Sequence, residues 1–166
     1  MGGDTWNGLA LVVGAGGIGR ALVPALRQRC PDLRVVLCGR GLTPDQGWSL
    51  DLEDPDSLVS LRQRLAASKD RLRLVFNASG RLHGSELQPE KRLQQVRAAS
   101  LIASYSINAM APLLLAQAIE PLLQRTQPFH FASLSARVGS IGDNHSGGWY
   151  AYRAAKAAQN QLLRCL

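Results

Sequence analysis

A chain of 166 residues, 46% hydrophobic and 19% charged, is long enough for one domain with a substantial core and has the balance of a globular protein. Its formal net charge of +7 comes from sixteen arginines and three lysines scattered along the chain, with no basic run, zinc-finger spacing or RNA-binding aromatic motif, so no nucleic-acid partner is expected. Three cysteines, at 30, 38 and 165, lack C-x-x-C spacing and argue against both a disulfide framework and a zinc site, so no metal is expected. The longest apolar run, around 109–119, holds a proline and a glutamine and falls short of the roughly 18 residues that span a membrane. The first residues carry no secretory signal, and a cytoplasmic protein without a membrane partner is the expectation.

In chain order, the apolar run LALVV at 9–13 predicts a buried strand, which GAGGIG at 14–19 breaks. Leu22, Leu26 and Arg29 then repeat at helical spacing, with Pro24 expected in the first turns. LRVVLC at 33–38 predicts the second strand and WSLDL at 48–52 the third. Asp54-Pro55 announces a helix with Leu58, Leu61 and Leu65 on one face, and LRLVF at 72–76 is the fourth strand. A long helical region is expected over residues 89–123, and PFHFASLS at 128–135 is the last strand. A Gly-rich loop at 139–148 leads into a terminal helix. This alternation predicts an α/β fold over residues 1–166: a single Rossmann-type domain with a doubly wound parallel sheet in the order 3-2-1-4-5, three layers α/β/α.

Gly14, Gly16 and Gly19 stand in G-x-G-x-x-G spacing between the first strand and helix. The first permits the tight turn, the second lets backbone approach a pyrophosphate, and the third allows close helix–strand packing. The helix N-terminus offers free N–H groups to the phosphates. After the second strand the chain reads Cys38-Gly39-Arg40, with no acid before Asp45. A guanidinium there suits a 2′-phosphate, so NADP(H) is expected ahead of NAD(H). In the terminal helix, Tyr152 and Lys156 are four residues apart and share a face, where an ammonium favours the phenolate.

Five segments together resemble the classical short-chain dehydrogenase/reductase family, near its carbonyl reductase and C-factor-like branch. GAGGIG resembles the family's first glycine motif, one residue shorter and lacking its Thr; LDLED at 50–54 resembles the adenine-contact motif. FNASG at 76–80 resembles N-N-A-G, with Ala78 and Ser79 departing from it, and INAMAPLLLAQAIEPLL at 107–123 resembles the helix that carries the family's Asn. SLSARVGSIGDNHSGGWYAYRAAK at 133–156 resembles the segment from Ser to Y-x-x-x-K.

The resemblance implies a cofactor held by Gly14, Gly16, Gly17, Ile18, Gly19, Arg40, Asp51, Leu52, Asn77, Ala78, Gly80, Tyr152 and Lys156. It implies Tyr152 as proton donor, Lys156 as its partner and ribose ligand, Ser135 bonding the substrate carbonyl and Asn108 holding a water. Ser133 is the alternative serine, and counting back from Gly139 falls on Ala136. The family continues beyond the Y-x-x-x-K helix, so the chain reads as truncated, with the strand-five edge and the Leu-rich terminal helix calling for a homo-oligomer, most simply a homodimer. Two functions stay open: an NADP(H)-dependent oxidoreductase of small carbonyl or alcohol substrates, or a nucleotide-binding or protein-interacting relative with little catalysis.

Overall fold

A computed structural model describes residues 6–84, 87–124 and 126–166. Its five strands are β1 (Gly8–Val13), β2 (Leu33–Gly39), β3 (Trp48–Ser49), β4 (Leu72–Asn77) and β5 (His130–Ser133). They form one parallel sheet in the order β3-β2-β1-β4-β5, the predicted Rossmann-like topology. The helices are α1 (Gly17–Arg29), α2 (Pro55–Ala66), α3 (Ala98–Tyr105), a π-helical turn (Ser106–Met110), α4 (Ala111–Ile119) and α5 (Tyr150–Arg164). The described residues fall into two compact units, one drawn from Met1–Ser79 and Ala116–Leu134, the other from Gly80–Leu115 and Ser135–Leu166.

In the first unit β1 is a continuous apolar run because it is buried along its length, with Leu9 to Val12 fully buried. One core joins Ala10, Val12, Val35, Leu37 and Leu74 of the sheet to Val23 of α1. Each of its valine and leucine side chains contributes about 1.5–3 kcal/mol on burial. The register sets Val13 level with Cys38 and Asn77, so three strands finish together and their following loops share one end of the sheet. α2 starts where the sequence announces it: the Asp54 carboxylate accepts from the Asp56 N–H at 3.0 Å, Pro55 takes the first turn, and Leu61 and Leu65 are buried.

Four local expectations are corrected. Pro24 lies in the middle of α1, where it leaves the Arg20 carbonyl without its i+4 donor, rather than in the first turns. β3 covers two residues instead of 48–52: Leu50 still donates to the Gly39 carbonyl at 3.0 Å, but the Asp51 N–H turns away to the Ser57 hydroxyl at 2.9 Å. The helix expected from residue 89 begins at Ala98, because the Gln95 carboxamide accepts from the N–H groups of Lys91 and Arg92 at 2.7 and 3.0 Å and holds that stretch in a short 3₁₀ turn. From Ala98 to Leu122 the helix then runs 25 residues at a mean hydropathy of 1.5, long and apolar enough to cross a membrane, which corrects the sequence reading. Its buried Ser104 and Asn108 are nevertheless bonded to Ala151 and Arg81, as in a helix packed within a folded unit.

In the second unit α5 packs against α3, the π-turn and the turn Arg137–Gly139. Gly139 makes that last approach possible, since a Cβ there would sit 2.9 Å from Lys156. Trp149, directly before α5, has φ 53°, and its N–H donates to the Glu90 carbonyl at 2.6 Å. The Glu90 carboxylate accepts from the Ala151 N–H at 3.3 Å, so an acid from the preceding loop stands at the start of α5.

Candidate functional site

The first unit presents a glycine turn that the fold itself requires in part. Gly14 has φ 108° and its N–H donates to the Cys38 carbonyl at 2.8 Å; a Cβ there would lie 2.7 Å from the Ser79 nitrogen. At Gly19 a Cβ would fall 1.9 Å from the Gly14 carbonyl oxygen. Gly16 and Gly17 differ, because nothing lies within 4 Å of where their Cβ atoms would be. Gly16 is the N-cap of α1 and offers no side-chain cap, and no acid occupies the first turn, so the helix N–H groups face open space. This cradle fits a phosphate-bearing ligand.

Around it, Ile18 is exposed, Arg40 is exposed just past β2, and Leu52 is buried. The Asp51 carboxylate accepts from the Glu53 N–H at 3.0 Å. Asn77 is fully buried: its oxygen accepts from the Ser79 N–H and hydroxyl at 3.1 and 2.6 Å, and its amide donates to the Ser133 hydroxyl at 2.9 Å. Asn77 therefore ties the loop after β4, where the Ala78 N–H donates to the Val13 carbonyl at 2.7 Å, to the end of β5.

In the second unit, α5 places Tyr152 half-buried and Lys156 buried, with the Lys156 Nζ 5.9 Å from the centroid of the phenol ring. Gly80 borders the same ammonium: a Cβ at Gly80 would meet the Asn108 Oδ1 at 3.2 Å and the Lys156 Nζ at 3.5 Å. Asn108 stands in the π-turn, where the Ala111 N–H reaches the Ser106 carbonyl. Such widened turns recur at functional sites because they displace the ordinary i+4 bonds. The Asn108 carboxamide donates to the Arg81 carbonyl at 2.9 Å and to the Ser104 hydroxyl at 3.2 Å, and accepts from the Arg81 N–H at 2.8 Å. Its side chain thus clamps the backbone at Arg81.

Tyr152, Lys156, Asn108 and Gly80 are brought together in this way, whereas Ser135 is exposed and donates to the Asn160 carboxamide at 2.5 Å. Burial pushes the Tyr152 phenol above its ordinary 10.0 and pulls the Lys156 ammonium from 10.5 down to about 8. At neutral pH the site therefore holds a protonated phenol beside a charged amine that is close to releasing its proton. Two further residues escape sequence reasoning. Gln159, fully buried, accepts from the Lys156 Nζ at 2.7 Å, and Glu90 stands at the start of α5. The first carried a signal in its i+3 spacing from Lys156, the second none.

No family model matches the chain. Among curated proteins, the 1-hydroxy-2-glutathionyl-2-methyl-3-butene dehydrogenase of a Rhodococcus species is 31% identical over 163 residues, covering 92% of this chain and 66% of that protein. The chain thus spans about two thirds of the length of that relative. Among solved structures, the carbonyl reductase Sniffer of D. melanogaster superposes with a TM-score of 0.77 at 26% identity, covering 93% of this chain and 71% of the other. The NADPH-bound carbonyl reductase from chicken fatty liver gives 0.77 at 26% identity, covering 98% and 71%.

Proposed function

Because the chain belongs to the short-chain dehydrogenase/reductase family, we propose that it is an NADP(H)-dependent oxidoreductase that interconverts small carbonyl compounds and alcohols. The observation that carries the reading is Lys156, a buried cation one helical turn from a protonated phenol. Bound NADPH would supply the hydride. Negative charge then develops on the substrate oxygen, and Tyr152 donates its proton to that oxygen. The ammonium of Lys156 stabilises the phenolate left behind. Asn108 keeps the Arg81 backbone in place beside them. In the first unit, Gly16 and Gly17 leave backbone open to the pyrophosphate, and Arg40 is the group that would take the 2′-phosphate.

A second reading, a nucleotide binder with little turnover, is favoured by Ser135, whose hydroxyl is given to Asn160. A homo-oligomer belongs to either reading, since Ile102 and Met110 are exposed on helical segments and Leu166 is exposed just past α5. NADPH oxidation measured with a panel of aldehydes and ketones separates the two. Tyr152→Phe is expected to lower turnover by about 10²–10⁴ with NADPH affinity retained. Binding of NADPH with no oxidation by any substrate would favour the second reading, and undiminished turnover in Tyr152→Phe would refute the first.

A further inference from the structure

A fully buried carboxamide costs free energy unless its polar atoms are bonded, so Gln159 on the buried face of α5 has to be accounted for. Its Oε1 lies 2.7 Å from the Lys156 Nζ, the length of a charge-assisted hydrogen bond. A lysine has four rotatable side-chain bonds, and this contact fixes where its end group stands. The residue after it, Asn160, engages Ser135, so consecutive carboxamides on α5 hold two polar groups of the same unit.

We propose that Gln159 is a positioning residue for Lys156: its carboxamide oxygen fixes the ammonium beside Tyr152 and keeps it charged. This rests on the reading of Lys156 as the cation of the acid/base couple. A hydrogen bond accepted from the charged form favours that form, whereas burial opposes it and brings Lys156 down to about 8. The surrounding elements bear on the same balance. α3 carries Tyr105 as its ionisable side chain, the π-turn carries none, and the turn Arg137–Gly139 carries Arg137, exposed and paired with Asp143 at 2.7 Å. The Arg81 backbone is clamped by Asn108, and Glu90 stands at the start of α5. α5 itself adds Tyr150, Tyr152, Arg153, whose guanidinium donates to the Val138 carbonyl at 3.4 Å, and Arg164 in its last turn. The oxygen of Gln159 is the neutral acceptor placed on the ammonium itself.

Lysine side-chain NMR reads this directly, because the chain has only Lys69, Lys91 and Lys156 to assign. The Cε and Nζ signals are titrated in wild type, in Gln159→Met, which keeps length and removes the acceptor, and in Gln159→Glu, which restores an acceptor with a charge. The Lys156 midpoint is expected to fall by about one to two pH units in Gln159→Met. It is expected to rise above wild type in Gln159→Glu, with Lys69 and Lys91 unmoved in both. An unchanged Lys156 midpoint in folded Gln159→Met overturns the proposal. Should that variant not fold, the absence of a rise in Gln159→Glu overturns it instead. NADPH oxidation is followed separately over pH: a Lys156 midpoint that shifts while no form oxidises NADPH refutes the reductase reading and leaves the positioning role standing.

Discussion

The four glycines of the first turn divide into two pairs, and single alanine substitutions separate them. At Gly19 the new Cβ would lie 1.9 Å from the Gly14 carbonyl oxygen, where ordinary contact begins at 3.4 Å. A backbone oxygen cannot swing aside as a side chain does, so the start of α1 must shift, and overpacking of this kind costs about 1–3 kcal/mol or more. At Gly14 the same kind of clash, 2.7 Å to the Ser79 nitrogen, adds to a φ of 108°. The strained dihedral contributes about 1–3 kcal/mol of its own. Gly14→Ala is therefore expected to lose roughly 2–6 kcal/mol, much of the 5–15 kcal/mol that holds a typical domain folded. Gly16 has an ordinary extended conformation and open space around its Cβ position. Gly16→Ala should keep full stability or gain about 0.4–1 kcal/mol by restricting the unfolded chain. Its methyl group occupies the approach to the helix N-terminus, so nucleotide affinity should fall at least about tenfold. Urea unfolding and NADPH titration on the same samples provide both numbers. Gly19→Ala as stable as wild type, or Gly16→Ala binding NADPH unimpaired, would refute the reasoning.

Three other outcomes follow from the same structure. Arg40→Ala should weaken NADPH about tenfold and leave NADH unchanged, as equilibrium titration with both nucleotides will show; equal losses count against a 2′-phosphate contact. Lys156 binds its proton more weakly in the fold, at about 8 against 10.5, so between those pH values the unfolded chain holds more protons and stability rises with pH. Below pH 8 the burial cost is present in full, and the rise should vanish in Lys156→Met; parallel stability curves for the two proteins would contradict the buried ammonium. Glu90→Ala removes the carboxylate at the start of α5 and should cost about 0.5–2 kcal/mol by thermal or urea unfolding, an effect absent if that contact is incidental.

The sheet was legible because β1, β2 and β4 are compact apolar runs and Gly14, Gly39 and Asp54-Pro55 punctuate the chain between elements, signals that local physics enforces. The glycine turn was legible in part for the same reason: Gly19 answers to Gly14 and Val12 within its own strand–turn–helix, whereas the contact that Gly14 makes is with Ala78 and Ser79 after β4. What the sequence hid depends on partners distant in the chain. Glu90 is an ordinary acid in a helix-compatible stretch until Trp149 and Ala151 claim its backbone and side chain, and the helix expected from residue 89 starts only at Ala98. The π-turn at Ser106–Met110 has the same composition as the helix around it. Gln159 looked like one more polar helix residue, because its i+3 spacing from Lys156 is shared by many helix pairs and only burial turns it into a ligand for that ammonium.

The sheet order also constrains how the chain acquires its shape. β1 precedes both its neighbours in the chain and is the middle strand of the sheet, and those neighbours lie at Leu33–Gly39 and Leu72–Asn77. Its apolar backbone can pair with β2 early, but the opposite edge stays open until β4 has been made, and β4 waits in turn for His130–Ser133. Closing such long loops before any reward is slow, and the exposed edge is a site for pairing with other chains in the interval. A nascent chain therefore carries its most hydrophobic strand half-paired from the completion of β2 at Gly39 until β4 is complete at Asn77, and is at greatest risk of aggregation in that interval.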